Sequence, residues 1–254
     1  MGETGYMIKQ IRYLAIAGFL VFASSGFAQY TMDLWGVGNG ANADGVYVSP
    51  YQGSIWNGAY SGSGGAPNSP ALYSGYVICD DFSDESYVGD VWNASATNAA
   101  NLDGSELFTT SKSGYTVQQN YDAVAWLAND LVDSSNADDP TAQTNISFAI
   151  WDIMDGDTTD PDGGATGPDG LIAQAFAAIE NPADIYTNVT VFTPAPKAGI
   201  GSNLSQEFLV VGNGNNPNTA LVPTPEPASA AILGIDLLSA LGIVLLVRRR
   251  RARA

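Results

Sequence analysis

The chain has 254 residues, twenty-six of them acidic and nine basic, with one cysteine, no histidine and a formal net charge of −17. The missing histidine removes the usual neutral-pH base, the commonest zinc ligand and every Ser-His or Cys-His catalytic pair. The lone Cys79 excludes an intramolecular disulfide, and the acidic balance argues against nucleic acid as a partner.

At the N-terminus, Lys9 and Arg12 precede an apolar stretch from Tyr13 to Ala23 and the small-residue segment Ser24-Ser25-Gly26-Phe27-Ala28. This is the order of a secretory signal peptide over residues 1–28, with Gly26 and Ala28 placed for cleavage before Gln29. Signal peptidase is the expected processing partner. Met7 is an alternative start, because Met1–Tyr6 adds Glu3 to a region that should be basic. Once the targeting segments are set aside, the exported body, 29–222, keeps only Lys112 and Lys197 against twenty-three acids, a net charge of −21. Such a body attracts cations, and its length suffices for one core.

From Gly36 to Pro70 the chain is dense in Gly, Asn, Ser and Tyr, with Val46-Tyr47-Val48 and Ile55-Trp56 as short strand-like islands. Strands are predicted over Leu72–Cys79 and Tyr87–Trp92. A helical section follows. Tyr121, Val124, Leu127, Ala128, Leu131 and Val132 recur at the spacing of one helix face. Asp139-Pro140-Thr141 reads as a capped helix start, and the helix it opens turns Ile146, Ala149, Ile150 and Ile153 inward. Asp169 is placed to cap a third helix, Leu171–Glu180, burying Leu171, Ile172, Ala175, Phe176 and Ile179. Strands are expected again at Ile185–Phe192 and Gln206–Val211. The predicted class is α+β, an antiparallel β-sandwich or barrel-like body with a helical insertion at about 118–181.

Tyr76-Val77-Ile78-Cys79-Asp80-Asp81-Phe82, the helix around Ala125-Trp126-Leu127-Ala128, and Phe148-Ala149-Ile150-Trp151-Asp152-Ile153 together resemble a thioester-domain-like body. In the thioester-forming members of that family a cysteine thiolate attacks a glutamine carboxamide, expels ammonia and leaves an acyl group that traps an amine. The resemblance places that glutamine at position 147, where this chain has Ser147. Gln143 lies one helical turn earlier, about 6 Å along the axis, and would need a shifted register. Cys79 is therefore expected to be a buried small hydrophobe at a strand end, with a thioester or an intermolecular disulfide as the alternatives.

Asp155, Asp157, Asp160 and Asp162, interleaved with Gly156, Gly163 and Gly164, supply oxygen ligands on a turn, as calcium requires. The run does not fit the EF-hand loop, since its sixth position is Asp160 and no Glu closes it. A calcium site and a solvated acidic loop both stand as readings, and no other cofactor is implied. Asp80 and Asp81 could suggest a glycosidase pair, but adjacent strand residues point to opposite faces.

The chain ends with Pro225-Glu226-Pro227, an apolar run over 228–247, and Arg248, Arg249, Arg250, Arg251 and Arg253. Twenty helical residues span about 30 Å, one bilayer core. Asp236 near its centre costs about 2.5–3.5 kcal/mol, which eleven Ile, Leu and Val residues offset at about 0.3–0.6 kcal/mol each. The motif, span and basic tail over 223–254 resemble the PEP-CTERM sorting signal of Gram-negative bacteria. That resemblance implies exosortase as a processing enzyme, transient anchoring in the inner membrane and delivery to the cell surface or extracellular matrix. The expected function is structural or binding, without catalysis, with extracellular polysaccharide as a candidate partner. A thioester-type covalent adhesin and a secreted polysaccharide-acting enzyme are the alternatives.

Overall fold

Among the residues described by the computed structural model, the chain forms β1 (Gln29–Gly36), β2 (Asn42–Ala43), β3 (Val46–Tyr47), β4 (Tyr51–Asn57), β5 (Tyr73–Cys79), β6 (Val91–Asn98), α1 (Val117–Val132), α2 (Pro140–Asp155), α3 (Pro168–Ala178), β7 (Val189–Ala195) and β8 (Phe208–Val211). The described residues are 29–38, 41–43, 45–60, 67–111, 114–133, 136, 138–156, 167–181, 186–195 and 205–212. The expected signal peptide, the Pro-Glu-Pro motif, the apolar run and the arginine tail lie outside them. No helix among the described residues is long and apolar enough to cross a membrane.

Six strands close into an antiparallel barrel in the order β1-β4-β5-β8-β7-β6, and β2 pairs with β3 as a separate ribbon. Closure satisfies the main-chain groups that an open sheet would leave along its edges. The sandwich-or-barrel expectation thus resolves to a barrel, and the α+β class holds.

Alternation along the strands separates two apolar cores. Val77 and Cys79 of β5 and Phe208 and Val210 of β8 pack with Tyr30, Met32, Ile55 and Phe192 in one cluster. Their strand neighbours Ile78, Leu209 and Val211 pack instead with the helices. The three helices contact one another, and α1 lies on β8.

The helices begin where side chains can satisfy their first N–H groups. Thr116 and Gln119 form a capping box at α1. Asp139 accepts from the N–H groups of Thr141 and Ala142 at α2, with Pro140 in the first turn. In α1, Tyr121, Val124, Leu127, Ala128 and Leu131 are buried while Val132 is half-buried; in α2, Ile146, Ala149, Ile150 and Ile153 are all buried.

Several expectations are corrected. Helix α3 starts at Pro168 with Gly167 as its cap, so Asp169 sits in the first turn, where its charge meets the helix dipole without capping it. Ala175 and Phe176 are its buried residues, whereas Leu171, Ile172 and Ile179 are only half-buried against the core. Tyr87–Asp90 is a turn: Gly89 adopts a left-handed φ of 101° and the Asp90 N–H donates to the Tyr87 carbonyl at 2.9 Å. The strand begins at Val91 and runs on through Ala94-Ser95-Ala96-Thr97, paired on both sides by β1 and β7. Strand β7 runs over Val189–Ala195, later than the expected span, whose first residue Ile185 lies outside the described residues. Strand β1 is an addition to the sequence reading, and β4 extends the strand-like island Ile55-Trp56 back to Tyr51.

Candidate functional site

The helix-facing end of β5 and the middle of α2 meet at Cys79. Ser49, just before β4, joins them: its Oγ accepts from the Cys79 N–H at 3.0 Å, and its own N–H donates to Ser147 Oγ at 3.0 Å. Trp151, one turn further along α2, donates its indole N–H to the Cys79 carbonyl at 3.1 Å. Cys79, Ser49 and Ser147 are fully buried, and Trp151 and Gln143 nearly so. The strand carrying Cys79 and the Ala149-Ile150-Trp151 segment therefore pack together, as their apolar faces require.

Cys79 belongs to the barrel cluster with Val77; its Sγ donates to the Asp81 carbonyl at 3.1 Å and lies beside the Trp151 indole of α2. Burial, and then the carboxylates of Asp81 and Asp80, push its pKa well above the ordinary thiol value, so thiolate is scarce near neutrality. On α2, Ser147 offers a hydroxyl already engaged with Ser49 and no acyl carbon for a thiolate to attack. Gln143 is buried one turn before it and has interactions of its own. The arrangement is a hydrogen-bonded clamp between strand and helix.

An acidic group surrounds the clamp. Because β5 ends at Cys79, Asp80 and Asp81 lie beyond the strand, and the opposite-face expectation for them does not apply: both are buried. Neither carboxylate oxygen of Asp80 has a hydrogen-bond partner. Burial, then Glu207 and Asp81, raise its pKa well above the carboxylate range. Burial and the neighbouring Asp155 and Asp84 lift Asp81 to about 7, against the N–H donors of Asp84 and Ser83. Glu207 is buried but satisfied, accepting from the Leu107 N–H at 2.7 Å and from the hydroxyls of Tyr121 and Thr193. Asp80, Asp81 and Glu207 are buried, and the hydroxyls of Tyr121 and Thr193 both serve Glu207.

Asp155, the last residue of α2, accepts from the Phe82 N–H at 2.6 Å and from Ser83 Oγ at 2.8 Å. It thereby fixes the segment that follows Cys79. Asp157, Asp160 and Asp162 lie outside the described residues, as do Pro225, Glu226, Pro227 and the five tail arginines. Among the described residues, no group of three or more Cys, Asp or Glu side chains could hold a metal ion.

The sequence reading missed Ser49, Glu207 and the clamping role of Trp151. Ser49 is a serine within a Gly- and Ser-rich stretch, and only the fold brings it between two elements. Glu207 at the head of the apolar run Phe208–Val211 is the one visible signal, since an acid entering a buried strand requires partners.

No family model matches the chain, and no curated protein matches it. Solved structures similar to it include two surface-protein domains. The N-terminal thioester domain of a surface protein from Clostridium perfringens matches with a TM-score of 0.42 and 11% identity, over 71% of this chain and 97% of that one. The N-terminal domain of the Streptococcus pyogenes pilus tip adhesin Cpa matches with a TM-score of 0.37 and 12% identity, over 74% and 95%. At these identities and TM-scores, the likeness supports no statement about ligand or activity.

Proposed function

We propose that the chain is an exported protein of the cell surface or extracellular matrix, sorted through its PEP-CTERM-like tail, with a structural or non-covalent binding role. The observation that carries the non-covalent part is the Cys79 clamp: the buried thiol bonds to the Asp81 carbonyl, and the helix residue tied to its strand through Ser49 is Ser147, which has no acyl carbon. A covalent adhesin requires an acyl donor there. The sorting part rests on the sequence order of motif, apolar run and arginines, with signal peptidase and exosortase as processing enzymes. Calcium at the Asp157–Asp162 run belongs to the same proposal.

Two measurements test it. The intact mass of the processed protein should equal the calculated value, with one titratable thiol after unfolding. A mass short by one ammonia, with no free thiol and with methylamine reactivity, would make the protein a covalent adhesin instead. Deleting 228–254 should shift the body into periplasm or medium; identical fractionation of the truncated and full chains would remove the sorting role.

A further inference from the structure

Beside the Cys79 junction, the surface opens into a groove of about 530 Å³. Its floor is apolar, formed in part by the buried side chains Leu34, Tyr51 and Trp151. Its rim is aromatic and open: Tyr47 is 50% and Tyr87 63% exposed, with Phe82 at 39%. Among the described residues, the charged groups lining it are Asp84 and Glu85. The exported body has just two lysines and no arginine.

The Tyr87 ring and the Tyr47 backbone are tied down. The Tyr87 hydroxyl donates to Glu85, and the Tyr87 N–H donates to Asp90 Oδ2 at 2.8 Å. The Tyr51 hydroxyl, on the floor, donates to the Tyr47 carbonyl at 2.6 Å. Exposed aromatic rings beside an apolar groove mark a binding surface, and ordering one of them in advance lowers the cost of association. A tyrosine face attracts an ammonium group, and a carboxylate beside it selects the same charge. A pyranose chain needs flat ring faces and hydrogen-bond acceptors, which this groove has.

We propose that the groove binds a polysaccharide bearing free amino groups, of the glucosamine type, with Tyr47 and Tyr87 stacking on its sugar rings and Glu85 receiving its ammonium groups. This inference rests on the non-covalent surface-binding reading above and names the ligand class for it.

The test is calorimetric titration of the full-length chain in mild detergent, at mildly acidic pH, with a fully deacetylated chitosan hexamer. The fully N-acetylated hexamer, cellohexaose and hexalysine serve as comparators. The deacetylated hexamer should bind about tenfold or more tighter than each comparator. Tyr87→Ala and Tyr47→Ala should each weaken it about tenfold at unchanged melting temperature, Tyr87→Phe, which keeps the ring but loses its tie to Glu85, should weaken it by less than Tyr87→Ala, and Glu85→Gln should weaken binding and its salt dependence. Equal binding of the neutral hexamers removes the charge argument, and equal binding of hexalysine shows a general anionic surface; either overturns the proposal. So does affinity indifferent to all four substitutions, or no glycan binding by a chain that still reaches the cell surface. Shortened glycan products, read by mass spectrometry, would instead overturn the non-catalytic reading.

Discussion

Asp80 is the residue on which burial and charge conflict most directly. Its carboxyl is sealed from water, lacks a hydrogen-bond partner and faces Glu207 and Asp81. The native state therefore favours its protonated form, whereas the unfolded chain ionises near the ordinary value. Asp81 follows the same sense, with a folded pKa of about 7 against 3.8. Where the folded pKa is the higher one, the native state holds more protons, and stability falls as pH rises through it. Each such group removes at most about 1.4 kcal/mol per pH unit within the window from about 4 to about 7 for Asp81 and further up for Asp80. The melting temperature should drop as pH rises from the acid side through about 7, where Asp81 titrates, and less steeply in Asp80→Asn, which cannot ionise. Parallel profiles for the two proteins would leave the loss to general repulsion among the surface acids. Cys79 adds a second expectation at this scale: thiol reagents should leave it intact in the native protein and modify it once the chain unfolds, because it is fully buried.

Among the elements, the helices were legible and the strands only partly so. Helix α2 announces itself through Asp139 and Pro140 and through inward positions three and four residues apart, signals that lie within the element. Asp139→Ala should cost about 1 kcal/mol, read as a lower denaturant midpoint at constant slope. Strands β4 and β6 carry Gly, Ser, Ala and Asn, residues of low strand preference, and exist because each is flanked by partners on both sides. Gly53 in β4 shows what that pairing demands. A Cβ there would stand 3.0 Å from the Asp33 carbonyl oxygen and 3.0 Å from Val77 Cγ1. Gly53→Ala should therefore destabilise by about 1–3 kcal/mol; an unchanged melting temperature would show that β4 and β5 can separate at little cost.

For the molecule as a whole, charge sets the terms. A body at −21 repels itself, and a divalent cation bound by the native state offsets that by mass action. Millimolar calcium should raise the melting temperature, by about 1–3 kcal/mol of stabilisation at saturation. The rise should shrink when Asp157, Asp160 and Asp162 become Asn, and an equal rise would point to screening alone. Asp155 is left out of that variant because its carboxylate holds Phe82 and Ser83, and its loss would disturb the groove as well.

The sequence alone determined the α+β class, the three helices, the burial of Cys79 and the lack of an acyl donor at Ser147. It did so because helix faces, caps and residue chemistry are written within a few residues of one another. Only the tertiary structure decided that the strands close into a barrel, that Ser49 bridges β5 to α2, that the Asp80 carboxylate is left without a hydrogen bond, and that Tyr47 and Tyr87 flank one groove. Each of those depends on residues tens of positions apart, whose meeting is set by strand pairing and packing rather than by any local pattern.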